Sequence, residues 1–446
     1  MIKELNIDKN IILITIDCLR ADHLHCMGYK KNITPNIDKM AKNGILFTNA
    51  FSNAPYTPYS IPSFIVSRIP PIDKEIKETI GLVLKNNGYY TAAFNPNAII
   101  FSDTFEGCNI SNGFDVYDMM LNYRMRFSLI IGCIRQRMMK YLNSSFKSNT
   151  PIFKIIYNMY SKIIRKFPNI LYPKEHLIIP NAESINTEAI SWIKNQKGNF
   201  FLWLHYMDVH EPYAPRNYNN QNELLYLITK YRDFPNMITE KEREILINLY
   251  DLEILYVDNQ INNLIEKLKE ENCLKNSIII ITSDHGEEFG EHGAFGHGGS
   301  FKAHLYDECI HVPLIIYGLE KKGMVIERQV QLLDLSPTIC EILNIPIPHI
   351  YLGKSLFNDS DGGIIVNSEF DIAYRTKNYK LIIRKTDGEN NELYDLKNDP
   401  NEFINIYFNN KILKNLESDM IKLLNNYNKK IKLGITRSIK NIILNR

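Results

Sequence analysis

No stretch of the 446-residue chain is long and apolar enough to read as a membrane span, and the opening MIKELNIDKN holds no signal-peptide core. Those absences predict a cytoplasmic location. The seven cysteines are scattered, odd in number and without a CxxC pair, which argues against a disulfide framework and for reduced, mostly buried thiols. There are no internal repeats. A net charge of +2 argues for no partner on its own, and no nucleic-acid partner is expected. Acidic residues are missing between Asp118 and Glu175, where Arg124, Arg126, Arg135, Arg137, Lys140 and Lys147 interleave with apolar stretches such as Phe127 to Ile134. Residues 119–180 therefore read as inserted helices with a basic side. That side is either a solvated face or a lid or peripheral membrane contact attracting anionic substrate.

What is present is the composition of a globular protein with a sizeable core, 45% hydrophobic and 11% aromatic. At this length one large domain plus a smaller one is expected, with the boundary at residues 345/346. Ile11 to Ile16, Tyr90 to Phe94, Phe200 to Tyr206 and Ser277 to Thr282 are short apolar runs of strand type. Thr34-Pro35 opens a helix that Gly44 stops, and Leu82 to Lys85 and Leu246 to Lys269 have helical character. Strands alternating with helices predict an α/β fold with a mostly parallel sheet, whose ligands bind outside the carboxyl ends of the strands. Tyr379 to Ile383, Asn391 to Tyr394 and a helix over Lys411 to Leu424 predict a smaller α+β unit over 346–446, ending in a basic tail.

Each of the four strands runs into groups suited to metal or anion binding: Asp17-Cys18-Leu19-Arg20, Asn95-Pro96-Asn97, Asp208-Val209-His210 and Asp284-His285. A glycine-rich loop, GEEFGEHGAFGHGG, adds His292 and His297. Carboxylates and imidazoles converging from separate strand ends suit a hard divalent ion or zinc. Phe47 to Pro70, FTNAFSNAPYTPYSIPSFIVSRIP, is dense in hydroxyls and prolines. It reads either as a proline-rich surface turn or as a helix start presenting a nucleophile where unpaired N–H groups favour an anion. The chemistry such a set suits is transfer of a sulfuryl or phosphoryl group.

The segments LITIDCLRADHLHCMGY, TPNIDKMAKNGILFTNAFS, LHYMDVHEPYAP, ITSDHGEEFGEHG, KAHLYDECIHVPLII and LLDLSPTICEILNIPIP resemble the sulfatase family of the alkaline phosphatase superfamily. GKSLF and ELYDLKNDPNEFINIY resemble its later landmarks. The resemblance implies an alkaline-phosphatase-like sandwich, with a central mostly parallel sheet flanked by helices and a smaller C-terminal α+β subdomain. It also implies a divalent metal (Ca, Mg, Mn or Zn) held by Asp17, Thr57, Asp284 and His285, with a second ion as an open alternative. Thr57, His210 and Lys302 take catalytic roles, and Arg20, Asn97, Ser60, His292 and His297 are assigned to substrate. Cys18 stands where the family often has a second aspartate, and is read as a spectator because thiolate suits a hard-metal site poorly.

In the family the nucleophile lies ten residues after the phenylalanine of F-x-N-A-F, which from Phe47 gives Thr57. Ser60-Ile61-Pro62-Ser63 resembles the C/S-x-P-S-R signature, with Phe64 in place of arginine. Threonine is not converted to formylglycine, so an unmodified Thr57 would have to carry a covalent ester. The expected function is a metal-dependent hydrolase of sulfate esters, extending to phosphate esters, on an anionic substrate whose glycan or lipid linkage is left open. A phosphotransferase or phosphodiesterase modifying a glycan or lipid is the second reading. A catalytically silent anion binder is the third, and the retained Asp17, Thr57, Asp284 and His285 speak against it.

Overall fold

The computed structural model describes residues 9–72, 78–97, 110–120, 179–215, 221–297, 305–359, 362–385, 390–408 and 411–430, with a few single positions between. Lys302 and nearly all of the basic 119–180 segment lie outside them. In chain order the strands are β1 (Asn10–Ile16), β2 (Ile45–Phe51), β3 (Tyr90–Phe94), β4 (Val116–Asp118), β5 (Phe200–Tyr206), β6 (Ser277–Thr282), β7 (Glu288–Phe289), β8 (Phe295–Gly296), β9 (His311–Tyr317), β10 (Met324–Ile326) and β11 (Val330–Gln331). The main sheet has the order β10-β2-β9-β6-β1-β5-β3-β4, with β11 also on β2. All its pairings are parallel except those of β9, which runs antiparallel to both neighbours.

Burial of β1 on both faces explains its unbroken apolar run. Side chains alternate across a strand, so Ile12, Ile14 and Ile16 enter one core while Ile11 and Leu13 enter the other. The first core is covered by the helices Pro35–Lys42, Ala182–Ile193 and Glu240–Glu270, the second by Thr57–Val66 and Leu335–Ile342. The result is a helix–sheet–helix sandwich. Truncating any one of these strand residues to alanine would cost about 2–5 kcal/mol. The longest helix, Glu240–Glu270, opens on a capping box of Thr239 and Glu242, and its Asp258 carboxylate accepts the Asn36 and Ile37 N–H groups of the shorter helix beside it.

Strands β12 (Ile364–Asn367), β13 (Asp371–Arg375), β14 (Tyr379–Arg384) and β15 (Glu392–Asp395) form a separate antiparallel sheet. The helix Leu413–Lys430 packs Leu416, Met420 and Leu424 against it. Asn53 binds this sheet, donating from Nδ2 to the Ile365 carbonyl at 2.9 Å, just before the hydroxyl-rich helix begins. Among the described residues, no helix is long and apolar enough to cross a membrane.

Candidate active site

Parallel pairing in register builds the site. β1 and β6 are neighbours with Thr15 opposite Thr282, so the residues two places on, Asp17 and Asp284, leave the sheet side by side. The two turns are stapled by Ser283, whose Oγ donates to the Ile16 carbonyl and accepts the Leu19 N–H at 3.0 Å. Opposite them the helix Thr57–Val66 starts at Thr57. Ser60 fixes that start, its Oγ donating to the Asp284 carbonyl at 2.5 Å.

Four side chains meet here. Thr57 Oγ1 lies 3.0 Å from His285 Nε2 and 3.4 Å from Asp17 Oδ2. His285 Nε2 lies 3.5 Å from Asp17 Oδ1 and 3.4 Å from Asp284 Oδ2. His285 Nδ1 faces the Gly286 carbonyl at 2.8 Å, which can only accept, so Nδ1 carries the proton and Nε2 turns its lone pair to the cluster. Asp17, Asp284 and His285 are completely buried. Burial, followed by the charge of Asp17, pushes the Asp284 carboxyl up to about 7. Burial opposes charge on Asp17 too, but His210 and the His205 N–H outweigh it and hold that carboxyl well below the usual range. Burial lowers the His285 pKa, which favours its neutral form.

The donor set fits a divalent cation. Asp284 Oδ2 is buried with no hydrogen-bond partner, and carboxylate, hydroxyl and imidazole atoms converge on one point. Asp17, Asp284 and His285 each offer a ligand atom within 4.8 Å of the others.

The remaining expected residues divide. His210 and His297 come to the cluster, their rings edge-to-face at 4.9 Å. The His297 ring also lies 4.4 Å from that of His285. Asn97 Nδ2 donates to Asp17 Oδ2 at 3.2 Å, so it steadies a carboxylate rather than facing outward to substrate. Three others are engaged elsewhere. Arg20 donates to both Asp22 oxygens, to Glu291 and to the Glu287 carbonyl, engaging four of its five N–H groups. Ser60 is committed to the Asp284 carbonyl and to Ser52. His292 stacks on Tyr306 at 3.7 Å and approaches Glu308 at 3.3 Å, outside the cluster. Lys302 lies outside the described residues.

Cys18 is no bystander in position. Its Sγ lies 3.2 Å from Asp17 Oδ1 and 3.4 Å from His297 Nδ1. Burial, with the charges of Asp17 and Glu287, pushes its thiol well above the ordinary range. Two further residues were not anticipated. His205 is fully buried with Nε2 at 3.1 Å from Asp17 Oδ2. Trp203 Nε1 donates to Thr15 Oγ1 at 2.9 Å, and that hydroxyl faces His205 Nδ1 at 2.8 Å, leaving Nε2–H to donate to Asp17. Its signal in the sequence is a lone imidazole in the apolar run FFLWLHY. Glu287, also fully buried, takes His297 Nδ1 at 3.0 Å and the Tyr213 hydroxyl at 2.8 Å.

Comparison with known proteins agrees with this architecture. The Sulfatase family model matches residues 9–345, and one for the C-terminal part of N-sulphoglucosamine sulphohydrolase matches 361–430. A sulfatase of Formosa agariphila is 26% identical over 278 residues, covering 55% of this chain; the chain spans only about half, 54%, of that relative's length. An arylsulfatase of Clostridium perfringens is 24% identical over 458 residues, covering 89% of this chain and 90% of the relative. The crystal structure of a phosphonate monoester hydrolase from Agrobacterium radiobacter superposes with a TM-score of 0.64 at 19% identity, over 95% of this chain and 96% of that one. With the family model covering most of its length, and the carboxylate–histidine cluster at the strand ends, the chain belongs to the sulfatase family.

Proposed function

We propose that this chain is a metal-dependent hydrolase of sulfate esters, with phosphate esters as a second substrate class, working through a covalent ester on Thr57. The observation that carries the reading is the placement of Thr57 Oγ1 at a helix start, 3.0 Å from His285 Nε2 and 3.4 Å from Asp17 Oδ2. Asp17, Thr57, Asp284 and His285 would hold the cation. When bound, a divalent cation supplies positive charge that eases loss of the hydroxyl proton and offsets charge on the transferred group.

The chain's own residues account for the rest. The start of the helix Thr57–Val66 presents the positive end of the helix dipole to an incoming anion. Thr57 Oγ1 gives up its proton to solvent and forms a bond to the sulfur or phosphorus, while the bond to the departing alcohol oxygen breaks. The alcohol needs a proton, and His210 is suited to supply it. Burial works against its charged form, but Asp17 and Glu211 outweigh that and raise its pKa. Water then cleaves the Thr57 ester, releasing sulfate or phosphate and restoring the hydroxyl. Asn97 and His205, both donating to Asp17 Oδ2, hold that carboxylate in place throughout. Lys302 serves the transferred or leaving group in this reading.

The match to an N-sulphoglucosamine sulphohydrolase C-terminal model supports a sulfated sugar as the substrate class. An unmodified threonine supports the second reading, transfer or cleavage of a phosphate ester on a glycan or lipid. The test is turnover of an aryl sulfate, a phosphate monoester and a phosphate diester with Ca²⁺, Mg²⁺, Mn²⁺ and Zn²⁺ in turn. The expected result is metal-dependent cleavage, fastest for the sulfate. Cleavage of none of the three with any ion would overturn the reading.

A further inference from the structure

We propose that Cys18 is a ligand of the cation centre, and that its thiolate makes the centre select a thiophilic ion of the zinc class over calcium. The inference rests on the reading that Asp17, Asp284 and His285 hold a cation. It goes beyond it by naming a sulfur donor and, through it, the ion.

Position comes first. Three groups of residues have metal-ligating atoms within 4.8 Å of one another: Asp17, Asp284 and His285; Cys18, His285 and His297; and Asp17, Cys18 and His210. Cys18 belongs to two of them and shares Asp17 or His285 with the third, so its sulfur borders the same centre.

The backbone holds the sulfur there. Cys18 has φ 62, the left-handed region that non-glycine residues seldom adopt. The turn is pinned on both sides, the Tyr250 hydroxyl donating to the Cys18 carbonyl at 2.7 Å and the Leu19 N–H to Ser283 at 3.0 Å. A thiol serving only as packing needs no such turn.

The imidazole beside the sulfur is fixed in place. His297 Nδ1 lies 3.0 Å from the fully buried Glu287 carboxylate, which places its proton on Nδ1. That leaves Nε2 as the His297 nitrogen with a lone pair for an ion. A carboxylate fixing a histidine beside the metal is the usual support of a zinc site. On binding, the S–H bond breaks, a sulfur–metal bond forms and the proton leaves to solvent. Soft sulfur and imidazole donors suit Zn²⁺ and Co²⁺, whereas Ca²⁺ takes oxygen.

The test uses the full chain, stripped of metal and titrated with Co²⁺ and then Zn²⁺, alongside Cys18→Ala, Cys18→Ser and Asp284→Asn. Melting curves establish that each variant folds. The expected result is a near-ultraviolet thiolate-to-cobalt charge-transfer band in the wild type that both Cys18 variants lack. Zn²⁺ should abolish the band and Ca²⁺ should not. Since even indirect supports of a metal are worth about tenfold or more in affinity, Cys18→Ala should weaken Zn²⁺ binding by at least that factor. Cobalt binding without the band, or unchanged Zn²⁺ affinity in both Cys18 variants, would overturn the proposal while leaving the cation reading intact. Unchanged ion affinity in Asp284→Asn would instead strike the cation reading itself.

Discussion

Two carboxylate pairs among the described residues, one at the junction with the C-terminal sheet and one at the strand ends, are built differently. At the junction with the C-terminal sheet, Asp307 and Glu402 sit among cations. Lys380 Nζ lies 2.6 Å from Asp307 and 2.7 Å from Glu402, and Arg375 lies 2.7 Å from Asp307. At the strand ends, the ion-pair neighbours of Asp17 and Asp284 are imidazoles, and among the described residues neither has a lysine or arginine within ion-pair distance. Uncompensated buried charge costs several kcal/mol, so a pair left without a partner is a place that a cation would stabilise. The junction carries its own cations and is a clamp. The strand-end cluster has carboxylate oxygens to offer, and Asp284 Oδ2, 3.4 Å from His285 Nε2, accepts no hydrogen bond.

The largest effects should appear at the strand ends. Thr57→Ala should lower kcat on the preferred ester by on the order of 10⁴ or more, as loss of a nucleophile does. Ser60→Ala should lower it only a few-fold, because its hydroxyl holds a backbone carbonyl. Steady-state kinetics on the two variants decide this, and the opposite order would remove Thr57 from its role.

Next comes ion removal. Chelation should lower the stability of the wild type by about 3–4 kcal/mol relative to protein holding its ion at 100 to 1,000 times Kd, seen as a fall in Tm. Asp284→Asn should show almost no such difference. An equal fall in both would place the ion elsewhere.

The junction should respond in stability and not in chemistry. Asp307→Asn removes a half-buried partner of the fully buried Lys380 and should cost about 3 kcal/mol in denaturant unfolding, with kcat of the folded fraction unchanged. The sign of the pH dependence follows from Asp307. Burial alone would raise its pKa, but Arg375 and Lys380 outweigh that and depress it, so its contribution is present above the unfolded carboxyl pKa and lost as pH falls. Tm measured from pH 7 down to about 3 should therefore fall less steeply in Asp307→Asn than in the wild type. Identical slopes would contradict the clamp.

Much of this is legible in the sequence, for identifiable reasons. Strands β3, β5 and β6 coincide with their apolar runs because burial on both faces leaves no polar interruption. Strand β2 is not legible in that way. Thr48 and Asn49 interrupt it where its pairing with β9 shifts between Phe47 and Ala50. Nor does periodicity reveal that β9 runs antiparallel between β2 and β6, since pairing direction is set by connections rather than by local pattern. In the site, Asp17, Asp284 and His285 stand out because they end apolar strands. His205 does not, because it lies within one, and only its pairing level opposite Thr15 brings it to Asp17. The place of Cys18 beside the cluster is not legible from residue type alone. The left-handed turn that aims its sulfur is a property of the fold.

The central claim, an ester carried on Thr57, is tested most directly by mass spectrometry of protein quenched in acid during turnover of an aryl sulfate. The account predicts a sulfate ester on the peptide containing Thr57, absent from Thr57→Ala and still present in Ser60→Ala. An adduct on Ser60, or an aldehyde at that residue in the resting protein, would contradict it.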